Sequence, residues 1–290
     1  MTDNQYLFLD VFSRDVGIPK ENLVAAFEVE KEFHTKILSE PDPQARKALY
    51  EKVYNTVHRI YAKDRPATGG LNSKEMIVRL FSQELSGKAI LDIGCGNGDF
   101  LRSVARQLPY ERLVGIDISA AVLARDERNL HFINSDIINF ALSERFDVAF
   151  SDNVFEHIAP QDIDIHIDAV RKALRPGGRF ILITPNRLFG PSDVTRIVDY
   201  TYSNKVAACG THVNESTYAE VLALLKRHGF TKFNTVLPVP RLKFYVPWMR
   251  FDASLMSKGE NNQFLMHLLY AMRFRGRCFV RLDILLVCSA

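Results

Sequence analysis

The sequence predicts an α/β chain: a doubly wound sheet preceded by a helical region. Three observations carry that expectation. Up to residue 87, apolar residues recur at helical spacing; from Lys88 onward, short apolar runs alternate with helical stretches. The first of those runs leads straight into a glycine-rich turn, Leu91 to Phe100 (LDIGCGNGDF), where a strand would hand over to a helix.

In chain order, Leu23, Phe27, Glu30, Phe33 and Ile37 step by three and four along one helix face. Pro41 and Pro43 end that helix. Ala45, Leu49, Val53, Val57 and Ile60 form a second stripe. A third helix is expected from Asn72, with Glu75 completing a capping box and Gly87 as its stop. The runs AILDI at 89, LVGID at 113, HFI at 131, FDVAFS at 146 and RFILIT at 179 read as buried parallel strands. Phe100–Gln107, Ala120–Arg128 and Asp162–Leu174 read as the crossover helices between them. Ser216–His228 is a further helix stopped by Gly229, and Phe230–Val236 and Cys278–Val287 are the last strands.

Composition narrows the class of protein. The net charge of +3 is too small to mark a nucleic-acid binder. The four cysteines form no CxxC pair and have no histidine at zinc spacing, so reduced thiols and no metal are expected. The first residues carry acids where a signal peptide needs basic charge, and no apolar run is long enough to span a bilayer. A cytoplasmic location is the expectation.

The glycine turn lets backbone N–H groups approach a ligand closely, but alone it also fits a dinucleotide site or a plain tight turn. Asp117 ends the next strand, where a carboxylate can accept both hydroxyls of a ribose, in NAD and S-adenosylmethionine alike. Asp136, in NSDI, ends a third strand and suits an adenine amino group. Position 99 is Asp, so the full G-x-G-x-x-G dinucleotide spacing is missing.

Residues 88 to 186 resemble a class I S-adenosylmethionine-dependent methyltransferase core through LDIGCGNGDF, VGIDIS, NSDI, FDVAFSDNVFEHI and LRPGGRFILITPN. The resemblance implies a seven-stranded Rossmann-like sheet with the last strand antiparallel. It implies that Gly94, Cys95, Gly96 and Gly98 pass along the methionine portion, with Asp92 orienting its amino group. Asp117 would bind ribose, Asp136 the adenine N6, Ile118 and Ile137 the two faces of the base, and Asn153 the methionine amine through its carbonyl. It also divides the chain into a helical cap, 1–87, and a catalytic domain, 88–290, with a loop insertion at 186–215 and a helical insertion at 241–276.

Methyl transfer to oxygen usually needs a base or a metal. Asp152-Asn153-Val154-Phe155 lacks the prolines typical of nucleobase and amide nitrogen methylation, and the chain resembles instead the small-molecule, methyltransferase-11/23-like branch, where Glu-His commonly follows. Glu156, His157 and His212 are therefore the candidate catalytic residues, with His212 preferred as base and Glu215 as its orienter. Asn186-Arg187 and Ser192-Asp193 are further polar candidates in the loop after the fifth strand. The expected acceptor is a hydroxyl or carboxyl on a small molecule, glycan or lipid-linked intermediate. The rival readings are an RNA or protein methyltransferase, and a non-catalytic cofactor-binding regulatory subunit. Residues 241–281, with Trp248, the stripe Phe264, Leu265, Leu268 and Leu269, and four arginines, read as a helix on the core or on a second subunit, or as a cover for acceptor or membrane surface.

Overall fold

A computed structural model of the chain describes residues 5–61, 71–120, 123, 129–236, 249–274, 277–278 and 282–290. Five helices come first: α1 (Leu9–Val16), α2 (Lys20–Ser39), α3 (Pro43–Tyr61), α4 (Leu71–Leu80) and α5 (Ser82–Leu85). Then follow β1 (Lys88–Ile93), α6 (Asp99–Gln107), β2 (Tyr110–Asp117), β3 (Leu130–Asn134), β4 (Phe146–Asp152), α7 (Ile163–Ala173) and β5 (Leu174–Thr184). The remainder is α8 (Tyr218–Arg227), β6 (Thr231–Thr235), β7 (Phe251–Asp252), α9 (Ser254–Glu260), α10 (Gln263–Ala271), β8 (Arg273–Phe274), β9 (Arg277–Cys278) and β10 (Ile284–Ser289).

The main sheet runs β3-β2-β1-β4-β5-β10-β6-β7. The first five of these pair in parallel, and β10 is antiparallel to both β5 and β6. The expected seven strands are all present, with the last one reversed. An eighth, the two-residue β7, adds an edge beside β6, and β8 with β9 forms a separate hairpin. Strand order reverses between β1 and β4, which opens a crevice at their carboxyl ends.

The sheet buries both faces, as a parallel sheet must. Leu91, Ile93, Phe180 and Leu286 face a core shared with α2, α3, α7 and α8, while Ile90, Val148, Ile181 and Leu285 face α4, α5 and α6. Ile90 is wholly buried, so its truncation to alanine costs about 2–5 kcal/mol. A third apolar cluster joins α1, α2 and α10 to the loop after β5 through Phe12, Phe27, Phe189, Tyr200 and Leu269.

Several boundaries differ from the expectations. The third helix is already under way at Leu71, so Asn72 sits in its first turn rather than at a cap, and it breaks into α4 and α5 before Gly87. The buried face of α3 is Arg46, Tyr50 and Val53, rotated from the apolar stripe, because this helix packs polar groups inward. The last strand begins at Ile284, not Cys278. Most of the helix expected at 120–128 (121–122 and 124–128), and Trp248, Arg275 and Arg281, lie outside the described residues. α10 buries Met266 and Leu269 on the chain's own core and leaves Phe264 and Leu268 outside. Among the described residues no helix is long and apolar enough to cross a membrane.

Candidate active site

The β1–α6 turn is shaped by close approach. Gly94 has φ +71°, and a Cβ there would meet Val154 Cγ2 at 2.4 Å, so only glycine lets the turn sit against the β4 exit. Its N–H, like that of Cys95, donates to the Ile116 carbonyl, tying the turn to β2. Asp117 closes the arrangement: Oδ2 accepts from Gly96 N at 2.9 Å and Oδ1 from Ser119 N at 2.8 Å. Burial raises the Asp117 pKa, and those two N–H donors oppose the rise. Each oxygen retains acceptor capacity for a ribose hydroxyl.

A cavity of about 420 Å³ extends from this turn beneath the N-terminal helices. Gly94, Asp117, Ile118, Ile137 and Asn153 line the end at the glycine turn, where the cofactor is expected. Phe12, Val16, Ile18, Leu23, Val57 and Tyr61 give it an apolar wall from α1 to α3, and Glu30, His157, Asp193, Thr211 and His212 a polar floor. Among the described residues no lysine or arginine lines it. A recess of about 30 Å³ shares Gly94 and is lined by Lys74, Asp92, Cys95, Asn97, Asp99 and Asp152. Lys74 reaches into it from α4 and pairs with Asp152 at 2.6 Å. Burial lifts the Asp92 carboxyl well above its ordinary range, against the pull of Lys74, so Asp92 gains most from an ammonium partner. Burial also raises the Cys95 thiol, which keeps it protonated and inert.

Three long-range contacts fasten the cavity's roof to the loops that follow β2 and β4. Arg46 makes a two-pronged pair with Asp162, Nε to Oδ2 at 2.8 Å, and both side chains are buried. Ala159 N donates to Tyr50 Oη at 2.7 Å, and Ser119 Oγ to Asn55 Oδ1 at 2.9 Å.

The floor gathers residues far apart in sequence. Glu156 is fully buried, and Oε2 accepts from Thr184 Oγ1 at 3.0 Å. His157 Nδ1 donates to the Thr211 carbonyl at 3.1 Å, and His212 Nδ1 meets Glu215 Oε1 at 2.7 Å. The two imidazoles pack edge to face with centroids 4.6 Å apart. One ligand atom from each of Glu156, His157 and His212 lies within 4.8 Å of the others. The expectation of no metal rested on local spacing, which cannot register a cluster assembled by folding from positions so far apart.

The electrostatics split the two histidines. Burial, with His212 nearby, pushes His157 down to about 3 and keeps it neutral. Burial works against charge on His212 as well, but Glu215, Glu156 and Asp193 outweigh it and push the pKa up to about 9. Burial lifts Glu156 to about 7, opposed by His212. Burial and neighbouring Asp193 lift Glu30 to about 7.

The expected site residues sort as follows. Gly94, Asp117, Ile118, Ile137, Asn153, His157 and His212 share the cavity, and Asp92 and Cys95 share the recess. Asp136 does not line the cavity; its Oδ1 accepts from Ile138 N at 2.8 Å. Gly96 and Gly98 shape the turn through positive φ. Asn186 is buried against Glu260 and the Leu282 carbonyl, and Arg187 pairs with Glu220 on the surface, so both brace the loop away from the cavity. Asp193 lies on the floor, holding Thr195 N and Gly210 N. Two residues were missed. Glu30 interrupts the apolar face of α2, a signal visible in its stripe; Lys74 carries no such mark.

This doubly wound sheet, with its reversed last strand beside β5, is the architecture of class I S-adenosylmethionine-dependent methyltransferases, and the chain carries such a domain. Residues 90–178 match the family profile described as a methyltransferase domain. The chain is 27% identical over 187 residues to phosphoethanolamine N-methyltransferase 2 of Caenorhabditis elegans, covering 60% of this chain and 40% of that one. It is 34% identical over 116 residues to the ubiquinone biosynthesis O-methyltransferase of Chelativorans sp. (strain BNC1), covering 37% and 44%. The chain thus spans about two fifths of these curated relatives' length. Among solved structures it resembles the Burkholderia thailandensis 1,6-didemethyltoxoflavin-N1-methyltransferase with bound 1,6-didemethyltoxoflavin and S-adenosylhomocysteine, at TM-score 0.51 and 14% identity, covering 87% of this chain and 91% of that one.

The residues present fit the cofactor. Gly94 leaves open the space a Cβ would take, Asp92 is a buried acid suited to an ammonium, and Lys74 is a cation beside it suited to a carboxylate.

Proposed function

We propose that the chain transfers a methyl group from S-adenosylmethionine to a hydroxyl of a small molecule with an apolar body. The observation that carries this is the single cavity, which joins the cofactor end to a polar floor beneath an apolar wall. The cofactor supplies an already activated methyl on its sulfonium. The chain's task is then alignment, water exclusion and removal of the acceptor's proton. Asp117 and the glycine turn hold one reactant, and Phe12, Leu23 and Val57 hold the apolar body of the other. The acceptor's proton is handled at the floor by His212, with Glu156 and His157. Against burial, its acid neighbours push the His212 pKa up to about 9. It therefore acts as a base only in the fraction that has given up its own proton, and turnover is expected to rise as pH approaches 9. The acids Glu30, Asp193 and Asp117, with no lysine or arginine among the described lining residues to oppose them, disfavour a carboxylate acceptor. The same acid-rich lining favours a second reading, an amine acceptor, over RNA. The relatives include enzymes named for oxygen and for nitrogen methylation.

The test is transfer of labelled methyl across a panel of apolar alcohols, phenols, amines and carboxylic acids. Hydroxyl products are expected, with His212→Ala reducing turnover about 10²–10⁴-fold at unchanged cofactor affinity. Exclusive methylation of carboxylates, or cofactor binding with no transfer to any class, would refute the reading.

A further inference from the structure

We propose that Glu156, His157 and His212 form a binding site for one divalent cation of the zinc class in the floor of the cavity. Glu156 Oε1 points to it first. The residue is fully buried, its other oxygen is satisfied by Thr184, and Oε1 has no hydrogen-bond partner. A buried carboxylate oxygen left this way calls for an occupant. His212 Nε2 faces it at 3.9 Å, too far for a hydrogen bond and wide enough for an ion to bridge.

The histidines are set as ligands. A carbonyl can only accept, so His157 donates from Nδ1 to Thr211 and its lone pair is on Nε2. His212 donates from Nδ1 to Glu215 and likewise frees Nε2 to bind a metal. Metal-ligating histidines are held in this way, by a carboxylate or a carbonyl on the far nitrogen. A tetrahedral ion with ligands at about 2.1 Å spaces them about 3.4 Å apart. The three ligand atoms lie within 4.8 Å of one another, so rotation of the side chains by roughly 1 Å closes the set. Two imidazoles and one carboxylate are a donor set of catalytic zinc sites, with the fourth position open. Both histidines line the cavity whereas Glu156 is wholly buried and does not, which puts the open position on the cavity side.

One consequence rests on the proposed function; occupancy of the site does not. A hydroxyl bound at the open position becomes more acidic. Its O–H bond breaks with the proton leaving to solvent, an O–CH₃ bond forms as the S–CH₃ bond breaks, and the cofactor departs as a neutral thioether. His212 then serves through the ion rather than as a free base.

The experiment uses the full chain, stripped with chelator and titrated with zinc and, separately, cobalt. One equivalent of zinc is expected to survive dialysis. Cobalt should show d–d bands of a nitrogen and oxygen site with no thiolate charge-transfer band. Glu156→Gln is buried and can unfold the chain, so His157→Ala and His212→Ala carry the test, each losing zinc affinity, with Glu215→Gln losing about 10–100-fold. No zinc retained by the wild-type chain, or unchanged zinc affinity in both folded histidine variants, would overturn the site. Turnover lost in His212→Ala while the wild type binds no zinc would overturn the ion and leave the proposed function standing. Full turnover of the stripped chain would overturn the catalytic consequence.

Discussion

Replacing Asp117 by alanine removes two kinds of hydrogen bond at once. Within the chain, Gly96 N and Ser119 N lose their acceptor at 2.9 and 2.8 Å, and Ser119 sits at the wall of the cavity. Toward the cofactor, the ribose hydroxyls lose a charged acceptor, and bonds of that type contribute about 1.5–3 kcal/mol. At 1.36 kcal/mol per decade, the dissociation constant for S-adenosylhomocysteine should rise about ten- to hundred-fold. Asp117→Asn removes the charge at constant shape. It keeps one acceptor oxygen but turns an amide N–H₂ toward a backbone donor, so it too should weaken binding. Titration calorimetry gives the affinity, and circular dichroism with thermal melting confirms the fold. Unchanged affinity in a folded Asp117→Ala chain would refute the ribose assignment.

Three further outcomes are expected. Arg46→Met leaves Asp162 buried without its partner and should cost about 3–5 kcal/mol in urea unfolding, most of it recovered in Arg46→Met with Asp162→Leu. Glu30 has a folded-state pKa raised from 4.5 to about 7, so its contribution to stability is fully present below about pH 4.5 and is lost as pH rises through 7. Glu30→Gln should therefore flatten the stability profile and exceed the wild type by about 3 kcal/mol above pH 8, read from denaturant midpoints across pH. Lys74→Met should lower affinity for S-adenosylhomocysteine about tenfold but leave 5′-methylthioadenosine, which lacks the carboxylate, unaffected in calorimetry.

The cofactor half of the molecule was legible because its constraints are local. A strand, a positive-φ turn and an acid at the next strand's end are consecutive in sequence, so Gly94 and Asp117 could be placed by spacing. Asp136 there accepts from Ile138 N through Oδ1, a local bond that spacing does not register. The acceptor half depends on approach across the fold. Glu30 on α2 accepts from Thr211 N at 3.0 Å, His157 meets the Thr211 carbonyl from 54 positions away, and the His157 and His212 rings pack edge to face. Lys74 showed nothing in its own neighbourhood, since its partner Asp152 is brought to it only by packing of α4 on the sheet. The shift in the buried face of α3 has the same origin, because Arg46 is drawn inward by an acid on the loop before α7.

The cavity has two authors. Its cofactor end is written within residues 90–178, the stretch that matches the methyltransferase family, whereas Phe12, Leu23, Glu30, Val57, Asp193 and His212 all lie outside it. On the proposed function, the methyl donor's berth and the acceptor's wall are therefore encoded in separate lengths of chain that meet only in three dimensions, and the floor draws on both, with His157 inside the stretch and His212 outside it. Substitutions along α1, α2, α3 and the loop after β5 can retune what is methylated while the sheet, the glycine turn and Asp117 stay as they are. Engineering a new acceptor into this protein is a matter of rebuilding one wall, with the methyl donor's berth left intact.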